Sequence, residues 1–98
     1  MTELIDLFLG ELPKRVELVA EAWQARELSK LQRLAHQLRG SSAGYGFPAI
    51  GSAAGRVEDA IRGHAPEQVQ LEKLAVDVKE LVSLCYRVAP MPPTHRAA

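Results

Sequence analysis

The chain has 98 residues, enough for one domain with a single core, and its hydrophobic share of 47% is ordinary for a globular protein. Twelve basic and twelve acidic residues leave no net charge, so we expect no binding to nucleic acid and no contact with a membrane. No apolar run approaches the roughly 20 residues that span a bilayer, and the acidic N-terminus is unlike a signal peptide. A lone cysteine, Cys85, cannot form an internal disulfide. These features predict a cytoplasmic domain.

The first 26 residues predict two helices that are separated at a proline. Pro13 ends or kinks a short first helix and suits the first turn of a second helix over about residues 13–26. The first helix carries apolar residues at helical spacing: Leu4, Ile5, Phe8 and Leu12. The second presents an apolar face in the same way: Val16, Val19, Ala20 and Trp23.

A third helix, predicted from near Glu27 to about Ala43, carries a histidine outside its apolar stripe. At about 100° per residue, one sector of this helix is apolar: Leu28, Leu31, Leu34, Ala35 and Leu38. Another sector holds His36, Arg39 and Gly40. A histidine in that position is hydrated and nucleophilic, Arg39 can neutralise an anion attached to it, and Gly40 removes a side chain that would block a partner. This combination is typical of a histidine that carries a phosphoryl group.

The rest of the chain predicts two more helices. A turn at residues 44–48 places Pro48 at the start of a fourth helix, whose small residues at 51–55 would allow a neighbouring helix to approach closely. The apolar stripe of this helix has helical spacing: Ile50, Ala54, Val57 and Ile61. After a turn at 63–66, a fifth helix over about residues 67–88 has the seam of a bundle: Leu71, Leu74, Val78, Leu81 and Cys85.

Short turns between helices of similar length favour antiparallel neighbours. The sequence therefore predicts an all-α, up-down antiparallel four-helix bundle with a short extra N-terminal helix. We expect the bundle to occupy residues 1–89 and a flexible tail to occupy residues 90–98. There is no nucleotide-binding loop and no convincing metal-ligand spacing, so we expect no cofactor and no metal in this chain.

Motifs at a fixed spacing run along most of the chain. They are Leu12-Pro13-x-Arg15, then Leu34-Ala35-His36-x-Leu38-Arg39-Gly40-Ser41-Ser42, and then Gly46, Ile50, Ala54 and Val57-Glu58. In these motifs the chain resembles the histidine-containing phosphotransfer (HPt) family of bacterial two-component phosphorelays. The resemblance implies that His36 accepts a phosphoryl group from an aspartyl phosphate on a receiver domain. It would then pass the group to an aspartate on another receiver.

The resemblance also implies roles for two further residues. Arg39 stands where the family usually has lysine, and both side chains are cations, although only arginine offers forked hydrogen bonds. Glu58 matches the family position that hydrogen-bonds the other ring nitrogen of the histidine from the adjacent helix. Such a bond would fix the tautomer and leave Nε2 unprotonated for attack. Without the family argument, Glu58 could equally be a solvated carboxylate.

The partners implied by the resemblance are response-regulator receiver domains and a hybrid sensor histidine kinase. The receiver would supply the aspartate and its bound Mg²⁺, and this chain would be a monomeric phosphocarrier that is not an enzyme, without ATP binding or autokinase activity. We assign four residues to the partner-binding surface: Gln32, Arg33, Ala43 and Leu7. For Leu7, packing against the short first helix is an equal alternative.

Other interpretations of these residues are open at this point. A helical adaptor that binds a receiver or kinase without carrying phosphate is the main alternative, and a metal-dependent bundle enzyme ranks last. Ser41 and Ser42 could bind phosphate, but serines at helix ends commonly bond to nearby backbone groups. His64 and His95 are expected to be exposed bystanders.

Overall fold

A computed structural model describes residues 2–88 of the chain, and the side chains of residues 4–88. This part of the protein contains α1 (Thr2–Gln24), α2 (Leu28–Gly44), α3 (Pro48–Ile61), a short 3₁₀-helix (Pro66–Gln68) and α4 (Leu71–Val88). Along the chain each α-helix packs on the next, and α4 also packs on α1, so the four helices enclose one core. The predicted all-α four-helix bundle is confirmed. The predicted tail over residues 90–98 lies outside the described residues.

The break predicted at Pro13 is absent. The residues expected to form a short extra helix are instead the N-terminal part of α1, which continues through Pro13 to Gln24. A proline inside a helix costs about 3 kcal/mol. One buried stripe nevertheless crosses the proline: Phe8, Leu12, Val16 and Val19. Each of these side chains contributes roughly 1.5–3 kcal/mol on burial, so keeping them on one continuous helix outweighs the cost of the proline.

All four α-helices contribute fully buried side chains to the core. The largest are leucines: Leu12, Leu31, Leu38, Leu74 and Leu81. Two predictions of core residues need correction. Ala20 is only partly buried, and Ala22 is the fully buried residue there, whereas Trp23 is partly buried and packs against the core as predicted. Leu71 is 44% exposed because α4 begins at this residue, and not at about residue 67 as predicted for the fifth helix. Val69, just before α4, is buried instead.

The turn between α1 and α2 contains no glycine, and Arg26 takes the left-handed conformation with φ of 57°. That conformation costs a residue other than glycine roughly 1–2 kcal/mol. The Arg26 guanidinium lies 3.9 Å from the centre of the Trp23 ring and also donates a hydrogen bond to the Trp23 carbonyl oxygen. Cation–π attraction and this hydrogen bond offset the cost, so the turn sets the direction of α2 without a glycine.

Small residues bring α3 close to α2, as the sequence predicts. A Cβ atom added at Gly51 would lie 3.4 Å from the carbonyl oxygen of Arg39 on α2, so backbone and backbone nearly touch there. Near the same end of the bundle, the Phe8 ring stacks on Tyr45 at 5.1 Å and on Phe47 at 5.7 Å between ring centres. The contact at Gly51 thus brings α3 against α2, and the ring contacts pack α1 against the turn between α2 and α3.

Candidate functional site

His36 projects from α2 into solvent, with 70% of its side chain exposed. Ala35, just before His36, and Leu38, two residues after it, are buried in the core. The helical periodicity that buries them turns His36 outward. Its Nδ1 atom lies 2.8 Å from Oε2 of Glu58 on α3. This contact occupies Nδ1 and leaves Nε2 as the ring nitrogen available to a partner.

Glu58 is the buried carboxylate of the site, with 3% of its side chain exposed. Burial would raise the pKa of Glu58, but hydrogen bonds from His36 and Arg39, with their charges, lower it below its ordinary value. The carboxylate is therefore ionised at neutral pH and can only accept hydrogen bonds. Because Glu58 accepts, Nδ1 of His36 must donate, and the neutral ring carries its proton on Nδ1. Nε2 then has a free lone pair.

Arg39 lies one helical turn after His36 and is drawn toward α3. Its Nη1 atom donates to Oε1 of Glu58 at 3.1 Å and lies 3.7 Å from Oδ1 of Asp59. The guanidinium passes over Gly55, where an added Cβ would lie 3.4 Å from Nε and 3.6 Å from Cζ of Arg39. About half of the Arg39 side chain is exposed. The cation is thus held beside the histidine and remains accessible from solvent.

Gly40 is exposed beside Arg39 on the same side of α2. A Cβ atom added at Gly40 would meet nothing within 4 Å. Packing within the described residues therefore does not require glycine at this position. A steric reason for glycine would have to come from a molecule that docks there.

The four residues assigned to partner binding fall in different places. Gln32 and Arg33 line a shallow depression that also includes His36 and Glu58. Ala43 borders a second depression beside Arg39, on the α3 side. Leu7 lies on α1, 63% exposed, and lines neither depression. Of the two interpretations of Leu7, exposure rather than packing is the one that the structure shows.

The two serines that follow Gly40 differ in their surroundings. Ser41 donates a hydrogen bond from Oγ to the carbonyl oxygen of Gln37 at 2.6 Å, which is the local interaction expected of a serine in a helix. Ser42 is fully buried. Neither serine is therefore presented to an anion on His36.

The other histidines are distinct from this site. His64 is exposed, and its Nδ1 lies 3.1 Å from the carbonyl oxygen of Arg62. His95 lies outside the described residues. In the part of the chain that the structure describes, no three His, Cys, Asp or Glu side chains form a group that could hold a metal ion.

A comparison with known protein families identifies the family of this chain. The sequence model of the Hpt domain family matches residues 3–89. The chain belongs to the Hpt domain family. No curated protein and no solved structure matches it. Hpt domains are helical phosphocarrier modules for histidine phosphotransfer, and they work with receiver domains and kinases in two-component phosphorelays. Within residues 2–88 of this Hpt domain, no helix is long and apolar enough to cross a membrane.

Gly55 and Asp59 also lie at the site of this Hpt domain, although neither was predicted there from the sequence. A pattern in the sequence could have found them. Gly55, Glu58 and Asp59 are spaced by three and four residues, so they share one face of α3. Once Glu58 is assigned to His36, this whole face must point toward the Arg39 side of α2.

Proposed function

We propose that His36 is the phosphorylated residue of this Hpt domain. In this proposal the domain takes a phosphoryl group from an aspartyl phosphate of one receiver domain and passes it to an aspartate of another. The observation that supports it most strongly is an exposed imidazole whose Nδ1 is held at 2.8 Å by a buried, ionised carboxylate. Burying a carboxylate is costly unless it is hydrogen-bonded, and the hydrogen bond with His36 that offsets this cost for Glu58 also fixes the orientation of the exposed ring.

The chemistry of the transfer follows from the tautomer. The Nε2 lone pair attacks phosphorus, and the N–P bond forms as the bond from phosphorus to the aspartate oxygen breaks. The electron pair of the broken bond stays with the aspartate carboxylate. The imidazole then carries a positive charge, which the Glu58 carboxylate stabilises through the proton on Nδ1. Transfer to a second receiver runs the same exchange in reverse.

The other predicted residues contribute charge and access. Phosphoryl transfer depends mainly on in-line positioning and on neutralising the charge of the phosphoryl oxygens. Arg39, one turn from His36, supplies positive charge from this chain, and the receiver supplies its aspartate and Mg²⁺. Gly40 leaves room for the receiver to approach. The receiver contact is completed by the four residues assigned above: Gln32, Arg33, Ala43 and Leu7.

The proposal also specifies the setting in which the domain works. It acts in the cytoplasm as a monomer, exchanging phosphoryl groups with response-regulator receivers and a hybrid sensor histidine kinase. It takes the group only from a partner protein and does not phosphorylate itself from ATP. Elution volume and light scattering of the purified domain test the monomer, and incubation with labelled ATP alone tests the lack of autophosphorylation.

The test is a transfer assay with the purified domain and a panel of phosphorylated receivers. Wild type should acquire acid-labile label, and His36→Gln should acquire none. His64→Gln is the matched control, because His64 is also exposed and also has Nδ1 near an oxygen acceptor, and it should behave as wild type. Equal labelling of wild type and His36→Gln, or no labelling by any receiver, refutes the proposal. If His36→Gln keeps receiver binding and signalling output, the adaptor function replaces it.

A further inference from the structure

We propose that Asp59 is a positioning residue that competes with the phosphoryl group for Arg39. By holding Arg39 in the unphosphorylated domain, Asp59 lowers the proportion of phosphorylated domain at equilibrium and makes phosphorylated His36 a better donor. The inference rests on the proposed function, because it concerns the charge balance around His36 when the phosphoryl group arrives.

Arg39 is held against α3 by two carboxylates. Its Nη1 atom faces two carboxylates, Glu58 at 3.1 Å and Asp59 at 3.7 Å. Gly55 has no side chain, so the guanidinium can lie directly against α3 between these groups. Gly55 and Asp59 are one helical turn apart on α3, and the guanidinium of Arg39 lies against both.

The charges around Arg39 are unbalanced even before a phosphoryl group arrives. In the unphosphorylated domain, one guanidinium faces two carboxylates, so the group has an excess of negative charge. A phosphoryl group on Nε2 brings further negative charge to the same place. To neutralise this charge, the Arg39 guanidinium must give up one of its contacts with the carboxylates of α3 and bind the phosphoryl oxygens instead.

Burial decides which carboxylate loses its contact. Glu58 is 3% exposed and also holds His36, so the loss of Arg39 would leave a buried carboxylate with one hydrogen bond fewer, which costs free energy. Asp59 is 67% exposed, and water can replace the guanidinium there at little cost. Asp59 is therefore the group from which Arg39 moves. Its attraction for Arg39 favours the unphosphorylated state.

The experiment measures the equilibrium of phosphoryl exchange between a labelled receiver and the domain, approached from both directions. Asp59→Asn removes the charge with almost no change of shape, and the exposure of Asp59 means that the fold should be kept. We expect the ratio of phosphorylated to unphosphorylated domain to rise about two- to fivefold, the size typical of an exposed ion pair. Glu72→Gln, which removes an exposed carboxylate from α4, should leave the ratio unchanged.

A second variant separates competition for Arg39 from simple charge repulsion. In an Arg39→Gln background there is no guanidinium to compete for, so adding Asp59→Asn should no longer shift the ratio. An equal shift in both backgrounds, no shift when Asp59→Asn is made in the otherwise wild-type domain, or a shift toward the unphosphorylated domain overturns the inference. Each of these results requires that wild type is labelled. Failure of wild type to be labelled refutes the proposed function instead.

Discussion

Replacing Glu58 with glutamine tests the contact on which the site is built. Glu58 accepts hydrogen bonds on both carboxylate oxygens, from His36 on one and from Arg39 on the other. Glutamine has nearly the same shape, but it has one carbonyl oxygen and one NH₂ group. The NH₂ group must therefore face one of the two donors. Either the bond to Arg39 is lost, or Nδ1 of His36 becomes an acceptor and its proton moves to Nε2.

The size of the effect follows from the burial of the groups. A hydrogen bond to a charged group contributes about 1.5–3 kcal/mol, whereas the pair with half-exposed Arg39 is screened by solvent and contributes under about 1 kcal/mol. We expect Glu58→Gln to lower the free energy of unfolding by about 1–3 kcal/mol. For a domain of this size, each kcal/mol corresponds to about 4–8 °C in Tm. Where the NH₂ group faces His36, the transfer rate should fall about tenfold or more, since a proton on Nε2 blocks attack. Where it faces Arg39, the tautomer of His36 is kept and the loss is confined to the bond with Arg39.

Urea unfolding at several pH values measures this contribution. The pKa of Glu58 is lowered in the folded protein because, although burial raises it, the hydrogen bonds and charges of His36 and Arg39 lower it further. A lowered folded pKa adds stability above the ordinary pKa of glutamate, near 4.3, and that stability is lost as pH falls through the lower folded value. The difference between wild type and Glu58→Gln should therefore be largest near pH 7 and should shrink in acid.

Two results would contradict a stabilising role of the Glu58 carboxylate. One is equal stability of wild type and Glu58→Gln at pH 7, which would mean that the carboxylate contributes nothing beyond its shape. The other is a difference in stability that stays constant as the pH is lowered. Glu72→Gln on the exposed face of α4 is the control, and it should change stability by less than about 0.5 kcal/mol at every pH.

Three further predictions concern α1, α2 and α4. Pro13→Ala restores a backbone N–H inside α1 and should stabilise the domain by about 2 kcal/mol in urea unfolding, after the added entropy of the unfolded chain is subtracted; destabilisation would contradict a continuous α1. Gly40→Ala should stabilise it by about 0.5–1 kcal/mol, since the added methyl group meets nothing, and should slow transfer; unchanged transfer would remove Gly40 from the docking surface. Cys85 is fully buried and burial raises its pKa to about 11, so a thiol reagent should label it only on unfolding, and rapid labelling of the native domain would contradict this burial.

The orientation of His36 could be predicted from the sequence because it depends on helical periodicity alone. Leu31, Ala35 and Leu38 mark the buried side of α2, and His36 lies off that side. The partner of His36 could not be predicted in this way. Periodicity leaves open whether Glu58 faces water or α2, and only the family resemblance suggested the hydrogen bond that the structure shows.

The features that were not predicted depend on packing across the bundle. At Pro13, the local preference for a helix end is outweighed by a stripe of side chains that α1 buries on both sides of the proline. Leu71 fits the seam of α4 by spacing, but it is the first residue of that helix and is exposed, and Val69, which precedes the helix, is buried instead. The contact between Arg39 and Asp59 joins the ends of two side chains on different helices, and sequence spacing does not specify where such ends lie.

Phosphoryl transfer by this domain depends on Glu58, which fixes the proton of His36 on Nδ1 so that Nε2 receives the phosphoryl group. Nitrogen-15 NMR of the His36 ring, before and after phosphorylation by a receiver, measures both parts of this claim. We expect a protonated Nδ1 and an unprotonated Nε2 in the free domain, and a phosphorus–nitrogen coupling at Nε2 after transfer. A proton on Nε2 in the free domain, or phosphorylation at Nδ1, would contradict it.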